Sequence, residues 1–289
     1  MNIEHLSEEE LKDSILQKQL QWIKLCQDNF IIFAETVWQD FIYRKTKDPK
    51  KWGHHQIIAE AFEGVADGDE KRLIINMPPR HTKSEFASYL FPAWFIGKYP
   101  KKKIMQVSHN AELASRFGSK VRNLMNTKEY KEIFGNVQLR EDSKAKGRWE
   151  TNHGGEYFAA GVGGSITGRG ADLLIIDDPH TEQDSMSDSA MERAYEWYSS
   201  GPRQRLQPGG RILVVMTRWA TDDLTGRLVK AQSEIKADKW KVIEFPAILP
   251  NDEPVWPEYW SKEDLLGVKA SISTKNWNAQ YMQDPTSEE

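Results

Sequence analysis

Residues 72–84 read Arg72-Leu73-Ile74-Ile75-Asn76-Met77-Pro78-Pro79-Arg80-His81-Thr82-Lys83-Ser84. The apolar run bounded by charge and proline predicts a short buried strand from Arg72 to Met77. Lys83 then opens a helix predicted to reach about Gly97. At a strand–loop–helix junction of this kind, backbone N–H groups at the helix start face an anion and the helix dipole favours negative charge. Against the pattern G-x-x-x-x-G-K-[ST], Met77 and Thr82 stand where glycines belong. The lysine and the hydroxyl remain. Lys83 would reach the β- and γ-phosphates of a nucleotide and Ser84 would ligate Mg²⁺. A Lys-Ser pair also suits an ordinary capped helix, so the loop needs a second element beside it.

Leu173-Leu174-Ile175-Ile176-Asp177-Asp178 supplies one, with four apolar residues followed by two carboxylates. A buried strand would deliver Asp177 to a metal shell, and Asp178 would orient or deprotonate an attacking water. The alternative is a strand with a polar end entering a turn at Pro179. Thr217 ends a further buried strand, Arg211 to Thr217, and parallel strands collect their carboxyl ends where ligands bind. Its hydroxyl would sense the terminal phosphate, or simply end a strand. Arg80 lies inside the loop, and Arg169 lies between Gly168 and Gly170. Arg203, Arg205 and Arg218 are further candidates for a guanidinium on the transferring phosphoryl group, with surface or structural ion pairs as the alternative for each.

Further strands are expected at Lys103–Ser108, Glu156–Ala160 and Lys241–Phe245, and helices at Ala111–Met125 and Asp188–Arg205. Strands alternating with helices indicate parallel βαβ units and a doubly wound α/β core. The first 65 or so residues read as helical. Leu11, Ile15, Leu16, Leu20, Ile23 and Leu25 are spaced for an amphipathic helix, and Ser7 with Glu10 forms a capping box. A third helix runs from His54, where His54-His55 reads as a wet pair at a helix start. Arg140 to Arg148 reads as a solvated loop with a modest basic patch. The tail from Pro246 reads as a linker with a short helix near Thr274–Tyr281. The expected division is a helical segment 1–66, a nucleotide-binding core 67–246 and a lid or linker 247–289.

Composition narrows the classes. The 289 residues carry 39 Lys+Arg against 43 Asp+Glu, a formal charge of −4, which argues against a generally basic nucleic-acid coat. The single cysteine, Cys26, excludes an internal disulfide and a cysteine-built zinc site, and fits a reducing compartment. No run of about 18 apolar residues is present, so no membrane-spanning helix is expected. The polar, acidic start is not that of a signal peptide. The 11 tryptophans suit core packing better than base stacking.

Together these residues resemble the ATPase domain of the tailed-phage terminase large subunit. The resemblance runs from about Trp52 to Asp284. It is carried by Asn76 to Ser84, by Ile166-Thr167-Gly168-Arg169-Gly170-Ala171-Asp172 and by Ile175 to Pro179. It continues through Arg205-Leu206-Gln207-Pro208-Gly209-Gly210, Thr217-Arg218-Trp219, Asp223-Leu224-Thr225-Gly226 and Asn278-Ala279-Gln280-Tyr281. It implies an additional-strand P-loop NTPase fold, a mostly parallel sheet flanked by helices, that binds ATP and Mg²⁺. Pro78, Pro79, Arg80, His81, Thr82, Lys83 and Ser84 would bind ATP, with Gln56 reading adenine. Ser84 and Asp177 would hold the metal. Asp178 would be the catalytic acid, Arg169 a finger reaching a neighbouring subunit's ATP, and Thr217 part of the coupling motif. Two departures stand out: Thr82 replaces the usual glycine before the lysine, and Asp178 stands where many relatives carry glutamate.

The resemblance implies a motor driving double-stranded DNA into a procapsid. Its partners would be copies of itself in a ring, the portal protein and the small terminase subunit, with no membrane. It would work in the host cytoplasm and transiently at the portal vertex. No nuclease activity is expected from this chain. A helicase, suggested by Asp177-Asp178-Pro179-His180, and a nucleotide-binding scaffold with hydrolysis disabled by Thr82 remain the alternatives.

Overall fold

The computed structural model describes residues 7–166 and 168–286. The acidic start, Met1–Leu6, and Thr167 of the second matching stretch lie outside them. Eight strands form one sheet: β1 (Arg72–Asn76), β2 (Lys103–Ser108), β3 (Leu139–Ala145), β4 (Arg148–Thr151), β5 (Glu156–Gly161), β6 (Ala171–Asp177), β7 (Leu206–Met216) and β8 (Lys241–Glu244). Their spatial order is β3-β4-β5-β2-β6-β7-β1-β8. From β5 to β8 all neighbours are parallel; β4 alone runs against the rest, pairing antiparallel with both β3 and β5. β7 lies between β1 and β6, which is the inserted strand of the additional-strand class.

Both faces of the central strands are covered, as parallel sheets require. Alternate residues enter opposite cores. Leu73, Ile75, Leu173, Ile175, Leu213 and Val215 face one cluster, and Ile74, Leu174, Ile176, Ile212 and Val214 face the other. Helices α1 (Glu8–Asp28), α2 (Phe30–Val37) and α3 (His54–Asp67) lead into the chain. The first cluster takes Phe30, Phe33 and Phe62 from them and Val255 and Trp256 from the tail. One continuous core thus crosses residues 66 and 247. Ser7 and Glu10 cap α1 reciprocally, as the sequence signals.

The helix opening at Lys83 runs through a π-helical stretch, Glu85–Leu90, into α4 (Phe91–Lys98). Pro92 has no N–H to give the preceding turn, and the wide turn accommodates that loss. Helices α5 (Ala111–Met125), α6 (Lys128–Ile133), α7 (Asp188–Ser200), α8 (Leu224–Ala231) and α9 (Lys262–Ser271) complete the layers. Among the described residues no helix is long and apolar enough to cross a membrane.

Four expectations change. Residues 140–148 are not a loop but the β3–β4 hairpin, and Arg140 is neutralised there by Asp142 and Glu150, each at 2.7 Å. The tail is folded: α9 was not signalled, and Ala247, Leu265 and Trp277 form a small core of their own. His54 and His55 are buried rather than wet, at 2% and 1% exposure. The apolar face of α1 is largely uncovered, with Ile15 57% and Leu16 51% exposed. Periodicity registers that a helix has an apolar side, not whether anything lies against it.

Candidate active site

The sheet gathers the signalled residues on its carboxyl edge. β6 pairs Asp177 with Val215 of β7, and β1 pairs Asn76 with Met216. The next residue of each strand, Asp178, Thr217 and Met77, therefore leaves the sheet at one level. They are tied together: the Thr217 N–H donates to Asp178 Oδ1 at 3.1 Å, and its hydroxyl donates to the Met77 carbonyl at 3.1 Å. Asp178 sits at φ 43°, held by its N–H to the Val215 carbonyl and by the His109 N–H on its own carbonyl.

Lys83 and Ser84, at the opposite side of the loop, meet the two carboxylates. Lys83 Nζ lies 2.7 Å from Asp178 Oδ2. Ser84 Oγ donates to Asp177 Oδ1 at 2.9 Å and Ser88 Oγ to Oδ2 at 2.6 Å. Gln106 Nε2 on β2 donates in turn to Ser88 Oγ at 2.8 Å. Burial pushes the Asp177 carboxyl up, reinforced by the charge of Asp178, against the pull of Lys83 and the two hydroxyls. Burial also works to lower the Lys83 pKa, but the charges of Asp178 and Asp177 outweigh it and hold the ammonium above its ordinary value. A buried carboxylate beside a hydroxyl is an all-oxygen pair that suits Mg²⁺, which is typically held through one or two carboxylates plus substrate phosphates.

The loop between is strained. Arg80 and Thr82 have φ 62° and 70°. Left-handed backbone at a non-glycine residue costs about 1–3 kcal/mol and persists only where the surroundings over-determine it. Thr82 Oγ1 donates to the His81 carbonyl at 2.5 Å and lies 2.7 Å from His55 Nε2. His81 Nδ1 lies 2.8 Å from the Pro79 carbonyl, and its ring stacks on Trp260 at 5.8 Å. Burial depresses His54 to about 3 and His81 to about 4, and holds His55 well below its ordinary value. A neutral imidazole bed thus lies under the loop.

Beside the loop opens a cleft of about 430 Å³, lined by Arg80, Thr82, Lys83 and Ser84 on one side and by Trp38, Phe41, Trp256 and Tyr259 on the other. Trp38 stacks on Phe41 and Trp256 on Tyr259, at 5.0 and 4.4 Å. These aromatic walls carried no signal in the sequence. They come from segments some 200 residues apart, each without a motif. Gln56 is not in the cleft: its amide accepts from the Gly53 N–H at 3.0 Å and donates to the Thr46 carbonyl at 2.8 Å. His81, Pro78 and Pro79 belong to the loop but do not line the cleft.

A strand order with β7 between β1 and β6, a lysine-serine loop after β1 and paired acids after β6 now bear comparison with solved proteins. The HK97 bacteriophage large terminase matches over 88% of this chain and 54% of its own, with a TM-score of 0.53 at 14% identity. The chain has the fold of a large-terminase ATPase domain. An ATPase-domain mutant of the Thermus phage P74-26 large terminase matches over 77% of this chain and 93% of its own, with a TM-score of 0.52 at 14% identity. In sequence, the terminase large subunit of Enterobacteria phage T3 is 25% identical over 134 residues, 45% of this chain. The chain spans only 23% of that relative's length. No family model matches. The terminase resemblance read from the motifs is borne out, as is the α/β, mostly parallel fold with helices at its amino end.

The arginines divide by position. Arg80 projects into the cleft and makes no ion pair among the described residues. Arg169 precedes β6 and so lies at the opposite, amino edge, a seven-residue strand or roughly 20 Å from Asp177. It pairs there with Glu156 and lies 4.5 Å over the Phe158 ring. Arg203 is bound to Asp238 at 2.6 Å. Arg218 is bound to Asp223 at 2.9 Å, and its backbone N–H donates to Gln283 in the tail. Arg205 Nε is buried without a partner.

Proposed function

We propose that this chain binds and hydrolyses ATP as the motor of viral genome packaging, driving double-stranded DNA into a procapsid. The observation that carries the reading is the meeting of Lys83 with Asp178 and of Ser84 with Asp177 at one sheet edge. These are the parts phosphoryl transfer needs, because catalysis there is positioning and charge stabilisation rather than covalent chemistry. Lys83 and Arg80 take the phosphates. Ser84 and Asp177 hold Mg²⁺, which when bound neutralises charge on the phosphate oxygens. Asp178, released from Lys83 when that ammonium turns to phosphate, orients the attacking water. The base lies between the aromatic walls of the cleft, without the Gln56 amide.

Thr217 bridges the acid and the phosphate loop, so loss of a phosphate is felt in the segment that Arg218 ties to Gln283. Arg169, far from its own chain's site, is suited to a neighbouring copy's nucleotide in a ring. Duplex DNA, the portal protein and the small terminase subunit are the partners, in the host cytoplasm and at the portal vertex.

Steady-state phosphate release, measured at high protein concentration with duplex DNA, tests this. ATP-dependent release that Lys83→Ala abolishes is expected. A chain that binds ATP but releases no phosphate would be a nucleotide-dependent scaffold instead.

A further inference from the structure

Thr82 places a β-branched side chain at φ 70°, a conformation that ordinarily belongs to glycine because Cβ then crowds the following carbonyl. The fold must select it by other means. The hydroxyl is held from two sides, by the His81 carbonyl at 2.5 Å and His55 Nε2 at 2.7 Å. A hydroxyl has one proton, and Thr82 gives it to His81. The second hydrogen bond therefore takes its proton from the imidazole, which requires the Nε2–H tautomer of His55. The ring cannot turn away. Phe41, Phe86 and Trp256 stand 5.0, 5.2 and 4.8 Å from it, from the loop after α2, the π-helical stretch and the tail.

We propose that His55 is a positioning residue for the phosphate loop. Its Nε2–H clamps Thr82 in the left-handed conformation, so a histidine–threonine pair replaces the glycine of the usual pattern. The clamp touches no phosphate; it fixes the direction of the backbone N–H groups beside Lys83. The inference rests on the nucleotide-binding reading above and names how this loop reaches the required shape without its glycine.

Calorimetric titration of the full chain with Mg²⁺-ADP tests it through a double-mutant cycle. Losing the part-buried His55–Thr82 hydrogen bond should weaken binding about tenfold in His55→Phe, and at least as much in Thr82→Val, which keeps the shape but loses the hydroxyl with both of its hydrogen bonds. His55→Gln, which restores an N–H, should recover most of the loss. In a Thr82→Gly background, His55→Phe should change affinity less than about twofold, since coupled residues are non-additive. Equal loss from His55→Phe in both backgrounds, or unchanged binding by Thr82→Val, would overturn the clamp. Ring ¹⁵N spectra read it without nucleotide: a proton on Nε2 is expected, and a proton on Nδ1 overturns it. Failure of the natural chain to bind ADP would bring down the nucleotide reading, and the tautomer would still decide the clamp.

Discussion

Asp178 shows how much one side chain depends on its backbone. At φ 43° it turns out of the strand, so one oxygen takes the Thr217 N–H and the other meets Lys83. Asp178→Asn keeps the volume and an acceptor for Thr217, but removes the charge. Nucleotide affinity is expected to hold within a few fold, while turnover falls about 10²- to 10⁴-fold, the usual worth of a positioned acid or base. Single-turnover phosphate release beside direct nucleotide titration separates the two, and undiminished turnover would remove Asp178 from the chemistry. At this scale the sequence was informative. Lys83, Ser84, Asp177 and Asp178 are adjacent pairs at strand or helix ends, and such local signals survive folding. Gln56, expected to read adenine, serves its own helix cap through Gly53 and holds the Thr46 carbonyl, a use that a motif alone does not signal.

Among elements, the loop after β7 is held by α8. Asp223, fully buried, caps that helix through the Gly226 N–H at 3.0 Å and binds the Trp219 N–H and Arg218 Nε, each at 2.9 Å. A Cβ at Gly226 would lie 1.8 Å from the Thr221 carbonyl, so the capping turn admits nothing larger than glycine. Asp223→Ala leaves the buried Arg218 with only the half-exposed Glu244, at 3.9 Å, as a charge partner, and should cost about 3 kcal/mol in urea unfolding. A loss under 1 kcal/mol would show that the pair does not hold the loop. The histidine bed gives a second expectation. Unfolded histidine takes a proton near pH 6.5, whereas folded His54 and His81 refuse one until about 3 and 4. Between those limits the unfolded chain binds more protons, so stability falls as pH drops below about 6.5. Each neutral buried histidine adds about 1.4 kcal/mol per pH unit to that slope. Unfolding free energies from pH 6 to 4.5 should therefore fall less steeply for His81→Gln than for the natural chain.

For the whole molecule, the two edges of the sheet divide the work. Asp177 and Asp178 leave the carboxyl edge while Arg169, two residues before β6 begins, stays at the other. A guanidinium there has no path to its own chain's phosphates. Arg169→Ala should leave nucleotide affinity unchanged, yet lose the stimulation of turnover that follows assembly, by about 10³-fold or more if it acts as a finger. Turnover followed against protein concentration is the measurement, and equal stimulation of both chains would exclude the role.

The amino-acid order alone determined the parallel strands of the sheet, though not the β3–β4 hairpin, and with them the lysine-serine loop, the paired acids and the parallel α/β class. Each is written in consecutive residues or a short period, and each follows from burying an apolar strand and placing charge at its end. The tertiary structure alone decided that the tail folds back, that Trp38 and Phe41 come to line one cleft with Trp256 and Tyr259, and that buried His55 reaches Thr82. Those contacts join segments tens to hundreds of residues apart whose individual residues look ordinary. Burial and hydrogen bonding give them meaning only once the chain has closed around them.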